Sequence, residues 1–229
     1  MIRAVIFDFN GVIADDELLH FELFRDVLAE EGVELTSERY HADYLGFDDR
    51  GCFVAALRDA GQTRSLDRVE TLILRKAALY ASAAETGLRI FPHAAESLNA
   101  LADRWPLAIC SGALLAEIEF ALNLIEARER VALIVSAEDT TTCKPDPQGY
   151  RLALEGLQRL PLGLADLVAS DCLVIEDSLA GLAAAKSAGM IAVGITHTYP
   201  AGQLTEAGAD AVIEGLATFG PEWVVERFG

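Results

Sequence analysis

The stretch VIFDFNGVIADDE, residues 5–17, reads as a buried strand running into a tight acidic loop. Its opening is apolar on every position, as a strand covered on both faces requires. Asp8 then interrupts the run, Asn10-Gly11 supplies a turn signal, and Asp15-Asp16-Glu17 closes the segment. Of the five acidic or amide side chains here, only Asn10 is not a carboxylate.

Further along the chain, short apolar or β-branched runs recur, each followed by a helical pattern: LAIC (107–110), VALIVS (131–136), CLVIE (172–176), IAVGI (191–195) and DAVI (210–213). With AVIFDF (4–9) they predict an α/β fold, a doubly wound and mostly parallel sheet between helices. SLAGLAAAKSAG (178–189) reads as a helix ending at a glycine. The long interval between the first two strands has helical periodicity instead. Leu18, Phe21, Phe24 and Leu28 form one stripe, widened by Leu23 and Val27, and Leu66, Val69, Ile73, Ala77 and Tyr80 form another. The interval is too long for one crossover, so a small helical cap domain inserted after the first strand is expected. Its expected extent is residues 16–87, with 1–15 and 88–229 forming the sheet-bearing core.

With 229 residues, 52% of them hydrophobic, the chain is long enough for this arrangement. No apolar run has membrane-spanning length, and MIRAVIFDF lacks the features of a signal peptide, so a cytoplasmic protein is expected. Cys52, Cys110, Cys143 and Cys172 are widely spaced, which fits reduced thiols, with Cys110 and Cys172 as core residues. A net charge of −18 argues against nucleic acid and acidic membranes as partners. It leaves room for an anionic substrate where cations gather locally, and only Lys76, Lys144 and Lys186 are lysines.

In open α/β sheets ligands sit beyond the carboxyl ends of the strands. That rule gathers Asp8, Ser111, Lys144 and Glu176-Asp177, each at or just after a strand. Singly, each has an ordinary structural explanation as a cap, a turn or a solvated loop residue. Jointly they supply what phosphoryl transfer needs. A carboxylate can attack phosphorus, a hydroxyl, backbone N–H groups and a lysine can hold its oxygens, and facing carboxylates can hold Mg²⁺.

The combination DFNGVIAD, CSG, KPDP and IEDSLAG resembles the four-motif signature of the haloacid dehalogenase superfamily, in particular its helical-cap phosphatase and β-phosphoglucomutase-like branch. The resemblance implies a Rossmann-like core, Mg²⁺ as cofactor and an aspartyl-phosphate intermediate. By position, Asp8 is assigned as nucleophile and metal ligand, and the carbonyl of Asn10 as a second ligand. Asp177 is assigned as a direct metal ligand and Glu176 as the holder of a water on the metal. Ser111, Gly112 and Lys144 are assigned to the phosphate, with Gly11 turning the loop toward it. The dehalogenase branch itself lacks the adjacent carboxylates of EDS and is set aside.

One position departs from the pattern. Where phosphatases of this kind carry an acid/base Asp, this chain has Asn10, which hydrogen-bonds but exchanges no proton at neutral pH. Binding is expected to survive and turnover to be impaired. A deliberate substitution, a natural change and deamidation before Gly11 are all compatible with this residue.

The expected substrate is a small phosphorylated metabolite of the sugar-phosphate or phosphoglycolate type, with His20, Arg50 and Lys76 of the inserted region as candidate contacts. For Lys76, snorkelling at the surface is the competing expectation. A phosphosugar mutase is the alternative reading, weakened by Ala113, Leu114 and Leu115 where a second phosphate grip would call for polar side chains. A non-catalytic phospholigand-binding relative is another. A monomer is expected.

Overall fold

The computed structural model describes all residues, Met1–Gly229. Its centre is a six-stranded parallel sheet in the order β3-β2-β1-β4-β5-β6. The strands are β1 (Ala4–Phe7), β2 (Leu107–Cys110), β3 (Val131–Val135), β4 (Cys172–Glu176), β5 (Ile191–Ile195) and β6 (Ala211–Ile213). This is an α/β, Rossmann-like fold. β1, β2 and β4 are buried along their whole length, which is why their sequences show no polar alternation.

The register explains which side chains face which layer. Ile6 aligns with Ala108 and Val174, and all three join a core cluster with Cys110, Tyr150, Cys172 and Leu182. Phe7 points to the opposite face, where its ring meets Phe219 edge-on at 6.4 Å. Burying such a side chain stabilises the fold by roughly 1.5–3 kcal/mol.

The chain divides into two compact units, Met1–Asp15 with Ile90–Gly229, and Asp16–Arg89. The second is wholly helical: α1 (Glu17–Glu30), a single turn α2 (Ser37–Arg39) continuing into a π-turn at Tyr40–Tyr44, α3 (Asp49–Asp59) and α4 (Leu66–Gly87). Asp48 caps α3 by accepting from the Gly51 N–H at 2.7 Å, and Ser65 caps α4 by accepting from that of Arg68 at 3.3 Å. Phe21, Phe24, Val27 and Leu28 of α1 pack with Phe53 and Leu57 of α3 and with Val69, Leu72 and Ile73 of α4. Two residues of the expected stripes are exposed, Leu18 at 64% and Leu66 at 71%. Both lie in the first turn of their helix, before the buried face is established. α3 lies between the two expected stripes and belongs to neither.

The sheet is flanked by α5 (Ala94–Ala102), α6 (Leu115–Leu124), α7 (Gln148–Arg159), α8 (Leu179–Ser187), α9 (Ala201–Glu206) and α10 (Pro221–Phe228). Cys52, Cys110 and Cys172 are buried and all four cysteines are free thiols. No helix is long and apolar enough to cross a membrane.

Candidate active site

The strand order reverses at β1, between β2 and β4; Asp8, Ser111 and Glu176-Asp177 lie at the carboxyl ends of these strands, and Lys144 in the connection from β3 to α7. Asp8 directly follows β1, and its N–H donates to the Ile175 carbonyl at 3.0 Å, extending the ladder by one bond. The chain then folds tightly on itself. The Phe9 carbonyl accepts from the N–H groups of Ile13 and Ala14, while the Gly11 N–H donates to the Ala14 carbonyl at 2.9 Å. Gly11 adopts φ +74°, and a Cβ there would overlap the Asp177 carboxylate. Glycine is required at this position on both grounds.

Glu176 ends β4 and is fully buried. Its Oε1 accepts from the Tyr150 hydroxyl at 2.7 Å and from Lys144, and its Oε2 from the Ser178 N–H and hydroxyl at 3.2 and 3.0 Å. Ser178 also caps α8 by accepting from the Gly181 N–H, and a Cβ on Gly181 would overlap the Glu176 carboxylate. The beginning of α8 is thus moulded around Glu176. Asp177 accepts from the Thr198 hydroxyl.

Lys144 lies between two carboxylates, with Nζ 2.9 Å from Asp8 Oδ1 and in contact with Glu176 Oε1. Oδ1 has this ion pair but no hydrogen bond of good direction. Carboxylate oxygens of Asp8, Glu176 and Asp177 lie within 4.8 Å of one another, all three residues being buried. Burial and the Glu176 charge push the Asp8 carboxyl up to about 6, with Lys144 opposing them. Burial, Glu176 and Asp8 raise Asp177 well above the ordinary carboxylate range. For Lys144, burial works against the charge, but Asp8 and Glu176 overcome it and hold the ammonium above its ordinary pKa.

Ser111 follows β2, is buried, and accepts from the Ala113 N–H at 3.2 Å. Its hydroxyl lies 3.4 Å from Asn10 Oδ1, so the Asn10 amide contacts the serine expected at the phosphate. Gly112 beside it is exposed. The structure therefore gathers Asp8, Asn10, Gly11, Ser111, Lys144, Glu176 and Asp177 around one end of the sheet.

The other three predicted residues belong to the helical unit. Lys76 is fully buried there, which corrects the expectation of a snorkelling lysine. Its Nζ lies 2.6 Å from Asp49 Oδ1, 2.9 Å from His20 Nδ1 and 4.6 Å above the centre of the Phe24 ring. His20 Nε2 is 3.3 Å from Asp16, and Tyr80 donates to the same carboxylate at 2.6 Å. Arg50 is exposed and pairs with Glu70 at 2.7 Å.

Besides Ser178, the residues Tyr150, His197 and Thr198 of the sheet-bearing unit touch this machinery, and the sequence gives none of them a role. Tyr150 sits on the inner face of α7, two positions after Gln148 opens that helix, and no periodicity distinguishes it from a core tyrosine. THTYP (196–200) offers a weaker clue, a polar segment at the carboxyl end of β5.

The description "haloacid dehalogenase-like hydrolase" matches residues 2–189. The chain belongs to that family. Among its relatives is a phosphorylated carbohydrates phosphatase of Thermotoga maritima, 29% identical over 93% of this chain and 94% of the relative. In structure it is similar to CbbY of Rhodobacter sphaeroides in complex with phosphate, at a TM-score of 0.80 and 27% identity, covering 96% of this haloacid dehalogenase-like chain and 97% of CbbY. An aspartate-to-asparagine mutant of the same CbbY, crystallised with xylulose-(1,5)bisphosphate, gives a TM-score of 0.79 with the same identity and coverage.

Proposed function

We propose that this protein is a Mg²⁺-dependent phosphatase of small phosphorylated carbohydrates that works through an aspartyl-phosphate on Asp8, and that Asn10 limits its turnover. The observation that carries the reading is the placement of Asp8 at the reversal of strand order, beside Lys144 at 2.9 Å and within reach of Glu176 and Asp177. The phosphatase and phosphate-bound relatives support this substrate class.

The donor set fits a hard divalent cation. Three buried carboxylates face a single ammonium, which leaves negative charge that protein groups do not offset. Both Glu176 oxygens already accept hydrogen bonds, so the direct ligands would be Asp8, Asp177 and the carbonyl of Asn10. Bound there, Mg²⁺ would neutralise developing charge on the phosphoryl oxygens.

The remaining steps belong to the chain. An Asp8 carboxylate oxygen attacks phosphorus, and the bond from phosphorus to the sugar oxygen breaks as the acyl phosphate forms. Lys144 offsets the charge, while the Ser111 hydroxyl and the Gly112 N–H hold phosphoryl oxygens. The departing alkoxide needs a proton, and the water that later cleaves the acyl phosphate must lose one. Asn10 performs neither transfer, and such help is worth roughly 10²–10⁴-fold.

The test is phosphate release from a panel of phosphorylated carbohydrates by the Asn10 protein and by Asn10→Asp, with Mg²⁺ removed and restored. The expected result is slow release by the former, release about 10²–10⁴-fold faster by the latter, and dependence on Mg²⁺ in both. Absence of phosphate release from every compound by Asn10→Asp overturns the proposal.

A further inference from the structure

The segment after β5 touches the site twice, through consecutive residues. His197 Nδ1 lies 2.8 Å from the Gly11 carbonyl oxygen. A carbonyl only accepts, so Nδ1 carries the proton and donates. The imidazole is stacked on Phe91, with ring centres 3.7 Å apart and planes 11° from parallel. Phe91 in turn donates its N–H to the Ile13 carbonyl at 2.9 Å. The acidic loop is therefore held at Gly11 by the imidazole and at Ile13 by the residue on which that imidazole rests. Thr198, the next residue, donates its hydroxyl to Asp177 Oδ2.

These two contacts converge, because Gly11 and Asp177 meet each other. The Gly11 Cα lies so close to the Asp177 carboxylate that a Cβ would collide with the very oxygen that Thr198 holds. Moving either group moves the other, and 197–198 fixes both from one short piece of chain anchored on a buried strand. The Thr198 bond also uses Oδ2 and leaves Oδ1 as the Asp177 oxygen for a cation.

We propose that His197 and Thr198 are positioning residues for the Mg²⁺ site, His197 setting the Gly11 turn that carries the Asn10 carbonyl and Thr198 setting the Asp177 carboxylate. This rests on the phosphatase reading above only for the identity of the cation. Neither residue touches the reacting atoms, and each acts by orienting a group that binds the cation. Partners of this kind typically alter metal affinity by about 10–100-fold when removed.

The test is a calorimetric titration of the full chain with Mg²⁺, carried out with no substrate, together with the unfolding temperature of the metal-free protein. Thr198→Val removes the hydroxyl at nearly constant shape, and Thr198→Ser keeps it. His197→Phe keeps a ring for Phe91 to stack on but cannot donate to Gly11. The expected result is Mg²⁺ binding weakened about tenfold or more in Thr198→Val and in His197→Phe, and restored to within about threefold of the parent in Thr198→Ser. A purely structural role would lower the unfolding temperature and leave Mg²⁺ affinity in place. If the parent binds Mg²⁺ and both Thr198→Val and His197→Phe bind it equally well, the positioning role is overturned while the phosphatase reading stands. Failure of the parent itself to bind Mg²⁺ overturns both.

Discussion

The protein holds two lysines among carboxylates, Lys76 fully buried and Lys144 partly buried, and their surroundings differ in a way that separates the proposed reactive site from a structural one. Lys76, inside the helical unit, is fully buried, with Asp49 at 2.6 Å and the Phe24 ring beneath it. Lys144, at the strand ends of the other unit, has 15% of its side chain exposed and faces Asp8 and Glu176, with Asp177 close behind. Lys76 is paired with Asp49, whereas Lys144 meets a cluster of three carboxylates. A buried ammonium alone is therefore no sign of a phosphate site. An excess of carboxylate around one is a sign that a cation belongs there.

Removing charge should have opposite consequences in the two places. The largest effect is on rate: Lys144→Met in the Asn10→Asp background should lower kcat for phosphate release by about 10²–10³-fold, comparable to losing one donor to a developing oxyanion. Steady-state assays over a range of substrate concentrations check it. Lys76→Met strands Asp49 in the interior and should cost about 3–5 kcal/mol in urea unfolding, most of it recovered by also changing Asp49→Asn.

In the acidic site the sign reverses. Asp8 is raised from 3.8 to about 6, so its ionised form is disfavoured in the folded protein, and that penalty operates above pH 6 and vanishes below about pH 4. Asp8→Asn should thus make the metal-free protein more stable at pH 8 by about 3 kcal/mol, while abolishing phospho-enzyme formation. Mg²⁺ at a hundred times its dissociation constant should stabilise the parent by about 2.7 kcal/mol and Asp177→Asn far less, measured by thermal unfolding. Smallest of all, Arg50→Ala, which removes an exposed pair with Glu70, should change stability by less than about 1 kcal/mol.

The same contrast shows what could be read from the sequence. The strands were legible because burial on both faces produces uninterrupted apolar runs; Asp8, Ser111 and Glu176-Asp177 were legible because each stands at or just after the end of one, and Lys144 because it lies in the segment that follows β3. Lys76 was not, since its partner Asp49 lies 27 residues away on another helix and helical periodicity carries no trace of the pair. The stripes through Leu18 and Leu66 extended one turn too far, because an apolar residue at a helix start satisfies the period whether or not anything covers it. His197 and Thr198 lie 186 residues from Gly11 and 21 from Asp177, on a loop of no fixed period, so only the folded sheet brings them together.

The central claim is that Asp8 becomes phosphorylated and that Asn10 is what stalls the next step. A rapid-mixing measurement with 4-nitrophenyl phosphate and Mg²⁺ addresses it most directly, because that leaving group departs without a proton. The account predicts a burst of one nitrophenolate per Asn10 protein followed by a slow phase, no burst in Asp8→Ala, and continuous fast release in Asn10→Asp. Continuous release by the Asn10 protein at the rate of Asn10→Asp, with no burst, would contradict it.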